Sequence, residues 1–463
     1  MSLEGPLQVI GTGIFMFVIL SAVREGTIHG SMTASALGFL TVPLLLCLFI
    51  TRRIRVDVKL SERGNLIALA TVVLLGVALR LAWILHVPTV PVSDYEQYHL
   101  TALDILSGNV PEEPPKPLGY PLILAGLYSI HYDPLIGKLA NVLIAPITII
   151  CVFSIARTIG SGPGSLIAAA LMAIWPADIA MTSVLNSDTW AAMFISLSIH
   201  MLIRGASYKR YRYSDLLLSG MALGAAVLIR PISLMFGSGV FYHFFDRDRD
   251  VRLHLVLAFL LGLIVVVGGG CAWHSLTSGH PSMGAIMYEG SGYSILAGSN
   301  IEARGTWNQE DSQLYHSLPK DIRFQMIVKK VWQRASSDPW KFLGLLFEKV
   351  EISLGNDMHG VYWATLKTDP CCINEAVLNS LYAISQGFYL LLLAGCLLLF
   401  IAPGTQWSRA RLLAAAYILP FVAGSLVIEA QGRYHHVITP LMSALAATSI
   451  MAKHLRVLSK SSG

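Results

Sequence analysis

Long apolar runs recur from one end of the chain to the other, and short polar segments separate them. A helix of about 20 apolar residues crosses the hydrocarbon core of a bilayer. The pattern therefore predicts an all-α protein with about twelve transmembrane helices, and a charge and a proline, Arg230 and Pro231, break the run between the seventh and eighth. The predicted spans are 7–23, 31–50, 65–87, 134–156, 164–182, 189–203, 215–229, 231–245, 254–274, 378–401, 411–428 and 436–453.

Basic residues between the predicted spans fall in five short clusters, and these set the expected orientation. Cytoplasmic loops carry an excess of lysine and arginine. If the spans alternate, all the clusters lie on one face, and both termini are predicted to be cytoplasmic. The clusters are Arg52, Arg53, Arg55 and Arg63; Arg204, Lys209, Arg210 and Arg212; Arg247, Arg249 and Arg252; Arg409 and Arg411; and Lys453, His454 and Arg456.

The opposite, non-cytoplasmic face then carries the long polar segments. The chain divides into two additional N-terminal spans (1–64), a transmembrane core (65–274) with a first outer loop at 88–133, a long outer loop (275–377) and a C-terminal group of spans (378–463). The polar chemistry of the molecule is thereby predicted to lie on one side of the membrane.

The long outer loop contains two amphipathic stretches, Ile322–Arg334 and Trp340–Leu354. Helices with one apolar and one charged face lie in the plane of the membrane interface. We therefore expect interfacial helices in this loop.

Composition excludes a soluble protein. Hydrophobic residues make up 54% of the chain and charged residues only 13%, whereas a soluble domain has about 25% charged residues. The net charge of +5 lies in the short clusters and indicates topology, not nucleic-acid binding. The N-terminus has no lysine or arginine before its first apolar run, so residues 7–23 are predicted as a span and not as a cleaved signal peptide. Cys371 and Cys372 lie in a predicted outer loop, where a disulfide is compatible with the sequence.

Asp94 follows the end of a predicted span by a few residues and therefore lies near the membrane surface. The pattern from Tyr95 to Leu106 is helical, which places Asp94 at or near a helix N-terminus, either as a capping residue or as a functional carboxylate. Tyr98 and Tyr120 suit an interfacial aromatic belt, and Glu96 reads as a solvated loop charge that could also contact a ligand.

Lys116 lies in the same loop, within the sequence PPKPLGYP. The prolines stiffen the backbone and fix where the lysine points. A lone interfacial lysine is usually a membrane anchor. A stiffened lysine beside an interfacial carboxylate instead suggests an anion site next to a base.

Three further charged residues are predicted on the same face. Asp188 begins the sixth span, as a helix cap or a second active-site carboxylate. Arg433 precedes the last span, where positive charge runs against the topological bias, and arginine binds phosphate oxygens strongly. Arg230 lies toward the outer side of the broken span, where a charge normally faces a polar cavity.

The segment that contains Tyr293 and Asn300 is rich in glycine and serine, so it is either a surface loop or a segment that wraps a polar ligand. The P-loop, HEXXH and GxSxG motifs are absent. The pair His435–His436 is compatible with metal binding, but no clear ligand set is visible, so no metal or other cofactor is expected to be required.

Taken in order, these motifs resemble one family. The acidic residue in SDYEQYHL, the PPKPLGYP stretch, LIRP in a middle span, the outer-loop stretch GYSILAGSNIEARG and the late EAQGRYHHVITP are similar to the bacterial GT-C glycosyltransferases of the protein-mannosyltransferase and aminoarabinose-transferase type. The resemblance covers about residues 65–450.

The resemblance implies roles for individual residues. It makes Asp94 the catalytic aspartate of the first outer loop, Lys116 a ligand of the lipid phosphate, and Arg433 and Tyr434 the late arginine–tyrosine pair of the donor site. Many members carry two adjacent acidic residues at the first position, whereas here Tyr95 follows Asp94.

The expected activity is transfer of a sugar from an undecaprenyl- or decaprenyl-phosphate donor to a hydroxyl of a glycan, lipid or protein, with inversion and an aspartate base. The expected location is a bacterial inner membrane, with the site facing the periplasm. The alternatives are an O-antigen-type ligase or polymerase, which places its main arginines and histidine in a late outer loop, and a flippase or transporter, in which inverted repeats are expected. No internal repeat is visible in this chain.

Overall fold

The computed structural model describes residues 4–28, 61–160, 162–206, 211–244, 249–280, 283–288, 290–369, 373–401 and 408–449. The described residues are overwhelmingly helical and contain no strand, only an isolated antiparallel bridge between Thr89 and Thr368. The all-α prediction is thus confirmed for this part of the chain. The predicted span 31–50 and the pair Cys371–Cys372 lie outside the described residues.

The helix bounds follow the apolar pattern closely. The α-helices are Glu4–Ile28, Glu62–His86, Asp94–Leu106, Gly119–Tyr128, Pro134–Ile159, Gly162–Ala173, Pro176–Met181, Ser187–Gly205, Tyr213–Ile229, Gly239–Phe244, Arg249–Ser278, Ser291–Gly298, Gln309–Ser317, Arg323–Ser337, Pro339–Gly355, Met358–Thr365, Glu375–Ile401, Ser408–Ser425 and 439–449, with 3₁₀ helices at Pro231–Ser238 and Tyr434–Val437.

Among the described residues, five helices are long and apolar enough to cross a membrane. The chain is therefore a multi-pass membrane protein, although the number of twelve spans stays a prediction. The long apolar helices are Pro6–Arg24, Glu62–His86, Pro134–Ile159, Val251–Ser278 and Glu375–Ile401, and shorter ones are Gly119–Tyr128, Gly164–Ala173, Tyr213–Ile229 and Ala410–Ser425.

The predicted single span 164–182 is wrong in one respect, because the helix ends at Ala173 and a new one begins at Pro176. Proline lacks the amide hydrogen that a continuing helix needs, and it disfavours helical geometry at the preceding residue, here Trp175. The predicted span 231–245 is likewise divided into a 3₁₀ helix and a short α-helix.

Arg80 stabilises the break at residues 174–175. Its guanidinium donates to the carbonyl oxygens of Met172 and Ala173, at 3.3 and 2.9 Å, and forms a buried ion pair with Asp178 in the next helix. The last carbonyls of a helix have no partner within the helix, so an arginine from a neighbouring helix can satisfy them. This arrangement fixes the chain that leads to Asp188.

The first helix packs against the C-terminal part of the chain. Phe15 stacks on Phe400 with ring centroids 5.5 Å apart, and Gln386 donates to the carbonyl of Ala22 at 3.0 Å. Residues far apart in the sequence thus share one apolar core, within which the later histidine-containing segment is enclosed.

The two amphipathic helices predicted within residues 275–377 are present as Arg323–Ser337 and Pro339–Gly355. They leave large aromatic side chains exposed, among them Trp332 and Trp340. Arg334 anchors this layer through an ion pair of 2.6 Å with the buried Asp311. These helices form an outer layer over the segment that bears the candidate site.

Candidate active site

Asp94 is the first residue of its helix and not its capping residue. The cap position is taken by Ser93, whose backbone has a φ of 55° and whose side chain makes no capping hydrogen bond. A non-glycine residue at positive φ is uncommon and is found preferentially at functional sites. The capping alternative for Asp94 is therefore wrong, and its carboxylate is available for other partners.

The partners of Asp94 are two cations, one from the same loop and one from near the end of the sequence. One carboxylate oxygen lies 2.7 Å from the Lys116 ammonium, and the other accepts a hydrogen bond from the Arg433 guanidinium. Burial alone would raise the pKa of Asp94, but the charges of Arg433 and Lys116 hold it well below its ordinary value. Burial works against the charge of Lys116 as well, yet Asp94 raises the pKa of that ammonium above its usual range.

Arg433 is the centre of the cluster and is only 2% exposed. It donates to the Tyr95 hydroxyl at 2.7 Å and to the Gln431 side chain at 2.9 Å. Its guanidinium carbon also lies 5.2 Å from the ring centroid of Tyr95 and 5.6 Å from that of Trp363. A guanidinium held between aromatic faces and paired with a carboxylate has a fixed orientation.

A second ion pair lies beside the first. Both carboxylate oxygens of Asp188 contact the Arg230 guanidinium, at 2.6 and 2.7 Å, and Asp188 also lies 4.0 Å from Arg433. The cap of the helix Ser187–Gly205 is Asn186, which accepts from the Asp188 amide at 2.9 Å. The capping alternative for Asp188 is therefore wrong, and the second-carboxylate alternative agrees with the geometry.

Arg230 is placed by the end of the apolar run. The helix Tyr213–Ile229 stops before Pro231, and Arg230 adopts extended geometry at this junction. Its guanidinium carbon lies 5.7 Å from the ring centroid of Tyr434. The predicted helix break at Arg230–Pro231 thus directs the Arg230 side chain toward Asp188.

Both ion pairs line one cavity of about 1060 Å³. One part of its wall is polar and contains the charged side chains above. Another part is apolar and is formed by the 3₁₀ helix Pro231–Ser238 and the end of the helix Ser408–Ser425, with Met235, Phe421 and Val427 among its residues. A cavity with one charged and one apolar region fits an amphipathic ligand.

The other predicted contact residues are distributed unevenly. Tyr98 and Tyr293 line the cavity, as do Tyr434 and Arg230. Three other predicted contact residues, Glu96, Tyr120 and Asn300, do not line the cavity. Glu96 is exposed on the outer side of its helix, Tyr120 is buried behind Tyr98, and Asn300 donates to Asp311 at 2.8 Å within the outer layer.

Glu429 and Tyr288 are among the cavity residues that the sequence analysis did not single out. Glu429 is 6% exposed, and burial raises the pKa of its carboxyl, although the hydrogen bond from Gln431 opposes this. Tyr288 lies in the same wall. Glu429 stands four residues before Arg433 in the late motif, so its position was visible in the sequence, but its burial was not.

The formal charges of the cavity favour an anion when Glu429 is protonated. Lys116, Arg230 and Arg433 face the paired carboxylates Asp94 and Asp188, and protonation of Glu429 would leave one positive charge in excess. Arginine and lysine bind phosphate oxygens through charge-assisted hydrogen bonds. The site can therefore hold a phosphate that carries a single negative charge.

Residues 115–269 match the family model of the dolichyl-phosphate-mannose-protein mannosyltransferases. The matched segment includes Lys116, Asp188 and Arg230, three of the charged residues that line the cavity. No curated protein matches the chain.

Solved structures give distant similarities. One is the oligosaccharyltransferase AglB from Archaeoglobus fulgidus in complex with an inhibitory peptide and a dolichol phosphate, which is 14% identical with a TM-score of 0.44. The match covers 86% of this chain and 52% of the AglB chain. ArnT from Cupriavidus metallidurans bound to undecaprenyl phosphate is 12% identical with a TM-score of 0.40, over 82% of this chain and 78% of its own. This chain thus spans about half the length of the archaeal enzyme.

The family match rests on the sequence itself and covers three charged residues of the cavity. The resemblance to GT-C glycosyltransferases of the protein-mannosyltransferase type, predicted from the order of the motifs, is thereby confirmed over residues 115–269.

Proposed function

We propose that this protein is a glycosyltransferase that moves a sugar from an undecaprenyl- or decaprenyl-phosphate donor to the hydroxyl of an acceptor. The observation that carries the proposal is the placement of Asp94 between Lys116 and Arg433 in the wall of a cavity of about 1060 Å³. Such a transfer needs a base for the acceptor hydroxyl and cations for the leaving phosphate, close together in one site.

The donor phosphate would bind to Lys116, Arg433 and Arg230. In a polyprenyl-phosphate sugar this group is a diester with one negative charge, which matches the single excess positive charge that the cavity carries when Glu429 is protonated. When the bond to the sugar breaks, the phosphate becomes a monoester and gains a second negative charge. Cations already in position stabilise the transition state as this charge develops.

Asp94 would act as the general base. Its lowered pKa makes it a weak base while Lys116 and Arg433 compensate its charge. A bound phosphate would compete for both cations, and the pKa of Asp94 would then rise toward a value that suits proton transfer. Binding of the donor would in this way activate the base.

The reaction balances as a single displacement. The acceptor oxygen forms a bond to the anomeric carbon while the bond from that carbon to the phosphate oxygen breaks, and the electron pair leaves with the phosphate. The proton of the acceptor hydroxyl passes to Asp94. Attack opposite the leaving phosphate inverts the anomeric configuration.

The apolar part of the cavity, around Met235, Phe421 and Val427, would receive the beginning of the prenyl chain. The basic clusters of the sequence support an inner-membrane protein with cytoplasmic termini and a site that faces the periplasm. The acceptor is then a glycan, lipid or protein outside the cytoplasm.

The test is a transfer assay with purified protein and a panel of polyprenyl-phosphate sugars. Asp94→Asn should abolish consumption of the active donor while donor binding is retained. Glu96→Gln is the matched control, since Glu96 is an exposed acid on the same helix. Lys116→Ala should raise the KM for the donor more than it lowers kcat.

The proposal fails if no polyprenyl-phosphate sugar is consumed or hydrolysed by folded wild-type protein. Unchanged turnover by Asp94→Asn would remove Asp94 as the base, even if the activity itself is found. An effect of Lys116→Ala on the acceptor KM alone would exclude its role at the phosphate.

A further inference from the structure

A second cluster of polar side chains lies behind the cavity wall and has no part in the proposed transfer. Asp357, His435 and His436 are 0%, 0% and 2% exposed, and their candidate ligand atoms all lie within 4.8 Å of one another. The Asp357 carboxylate is 2.8 Å from His435 Nε2 and 3.8 Å from His436 Nε2. We refer to these three residues as the buried His–Asp cluster.

The surroundings of Asp357 hold its carboxylate in place. The oxygen that faces away from the histidines accepts hydrogen bonds from Trp175 Nε1 at 3.0 Å and from the Ser385 hydroxyl at 2.9 Å. The other oxygen is the one that faces His435. Hydrogen bonds to the distal atom of a ligand are the usual support of a metal site, because they orient the ligand.

His435 shows the same kind of support. Its Nδ1 lies 3.3 Å from the carbonyl oxygen of Ser353, which can only accept a hydrogen bond. With the proton on Nδ1, a neutral imidazole presents the lone pair of Nε2 to the Asp357 oxygen. Two acceptors then face each other at 2.8 Å, and a metal ion bound by both would resolve the conflict.

His436 supplies an independent observation. Neither of its ring nitrogens has a hydrogen-bond partner among the described residues, although the side chain is buried. Buried polar groups are nearly always satisfied, and an exception needs an explanation. The ring lies edge-on to Trp175 at 4.7 Å, with Nε2 on the side of Asp357. An unpaired ring nitrogen of His436 on this side indicates a ligand that accepts an electron pair, such as a metal ion.

We propose that Asp357, His435 and His436 bind a zinc ion with a structural role. Two imidazoles and one carboxylate are typical zinc ligands, whereas calcium and magnesium prefer oxygen alone. Zinc bonds of about 2.0–2.1 Å at a tetrahedral angle place ligand atoms about 3.3 Å apart. The two separations that involve Asp357, 2.8 and 3.8 Å, lie on either side of this value, so side-chain movements of about 0.5 Å would bring them to it.

The ion would join two parts of the chain, and a third part supports one of its ligands. Asp357 precedes the helix Met358–Thr365, Ser385 supports it from the helix Glu375–Ile401, and both histidines belong to the 3₁₀ helix that follows Arg433. Binding would therefore fix the segment whose other side presents Arg433 to the cavity. The ion takes no part in sugar transfer itself.

The first experiment measures zinc in protein purified with a tag that contains no histidine, after growth with added zinc. Elemental analysis should find about one zinc ion per chain, as expected for one site with three protein ligands. His436→Gln and Asp357→Asn should lose it, while His436→Cys, which restores a zinc ligand, should retain it. His99→Gln is the control for a histidine outside the cluster, since His99 pairs with Tyr128.

The second experiment uses wild-type protein alone and so does not depend on whether a variant folds. Removal of zinc with a strong chelator should lower the melting temperature, and added zinc should restore it, because a ligand of the folded state stabilises that state. Wild-type protein that carries no zinc even after incubation with the ion overturns the proposal. Retention of zinc by both His436→Gln and Asp357→Asn would place the ion elsewhere and overturn it equally.

Discussion

The two sides of the short segment 429–437 carry different chemistry. On one side, Arg433 and Tyr434 face the cavity, where carboxylates and cations are paired across four parts of the chain. On the other side, His435 and His436 are enclosed with Asp357, and no lysine or arginine forms an ion pair with that carboxylate among the described residues. One short segment therefore joins an open charged site to a closed one.

The difference indicates what each side is for. Charges at the edge of a cavity can exchange their partners for those of a ligand, so paired ions there can bind and release a phosphate. The ligand atoms of the buried His–Asp cluster are closed off from solvent and cannot exchange partners in this way. They therefore fit a metal ion that stays bound. Substitution of Arg433 on the open side should thus mainly change turnover, whereas loss of the bound ion on the closed side should mainly change stability.

The ion pair Asp188–Arg230 gives the largest expected effect. Asp188→Asn leaves the buried guanidinium without its charge partner, and loss of one member of a buried pair costs about 3–5 kcal/mol. We expect a strong decrease in the free energy of unfolding, measured by thermal or denaturant unfolding in detergent. The double variant Asp188→Asn, Arg230→Gln should recover part of the loss.

The matched control is the exposed pair Arg304–Glu348, at 3.1 Å. Removal of a surface pair typically costs less than about 1 kcal/mol. An equal loss from both pairs would contradict the view that Asp188 neutralises a buried charge.

Arg433→Lys tests the open side of the segment with less disturbance. Lysine keeps the charge but loses the planar fork that binds Asp94, Tyr95 and Gln431 together. We expect turnover to fall about 100-fold, the effect of removing one transition-state donor. The melting temperature and the zinc content should change little.

The kinetic measurement is kcat with the donor that the wild type consumes, and Arg304→Lys is the control. Turnover within a few-fold of the wild type would show that charge alone suffices at this position. A loss of zinc from Arg433→Lys would show that the two sides of the segment are not independent.

Gly119→Ala tests the packing of the helix that follows Lys116 against the helix that ends before Arg230. A Cβ atom at Gly119 would lie 2.5 Å from the backbone carbon of Leu228 and 2.7 Å from the amide nitrogen of Ile229. The helix Gly119–Tyr128 must therefore move away from the end of the helix that precedes Arg230. Overpacking of this kind costs about 1–3 kcal/mol, and we expect a similar decrease in the free energy of unfolding.

Gly126→Ala in the same helix is the control, because its Cβ would meet no atom within 4 Å. Alanine is favoured over glycine in a helix by roughly 0.5–1 kcal/mol, so this variant should be neutral or slightly more stable. Equal destabilisation by both variants would show that the contact with Leu228 does not set the position of the helix.

The sequence predicted the parts of this comparison that depend on local pattern. Asp94 was placed at a helix start by periodicity, Lys116 was joined to it by their common loop, and Arg433 was assigned to the same face by the distribution of basic residues. The break at Pro231 was visible as well. Each of these inferences needs only neighbouring residues or the alternation of spans.

The remaining parts depend on contacts between distant residues. Asp357 lies 78 positions before His435, and nothing in the local sequence of either residue indicates the other. The break at Trp175, which lets that indole reach Asp357, follows from a proline whose effect on a continuous apolar run was not anticipated. Pairings of this kind are set by how the helices pack, and one sequence does not reveal them.

Glu429 provides the smallest and most selective test of the open side. Burial raises the pKa of its carboxyl, which means that the folded protein holds this proton more tightly than the unfolded chain does. The contribution of Glu429 to stability is therefore full below its ordinary pKa of 4.5 and is lost as the pH rises through the folded-state pKa. Glutamine has no proton to lose, so Glu429→Gln should abolish this decline.

Melting temperatures of the wild type and of Glu429→Gln between about pH 4.5 and 7.5 measure the effect, given that carboxyl groups with raised pKa values titrate in this range. The variant should gain stability relative to the wild type as the pH rises, whereas the exposed control Glu96→Gln should follow the wild type throughout. The opposite trend would mean that the ionised form of Glu429 is the one stabilised in the fold. Lys116 and Arg433 would then outweigh its burial, and the cavity would have no excess positive charge to offer a phosphate diester.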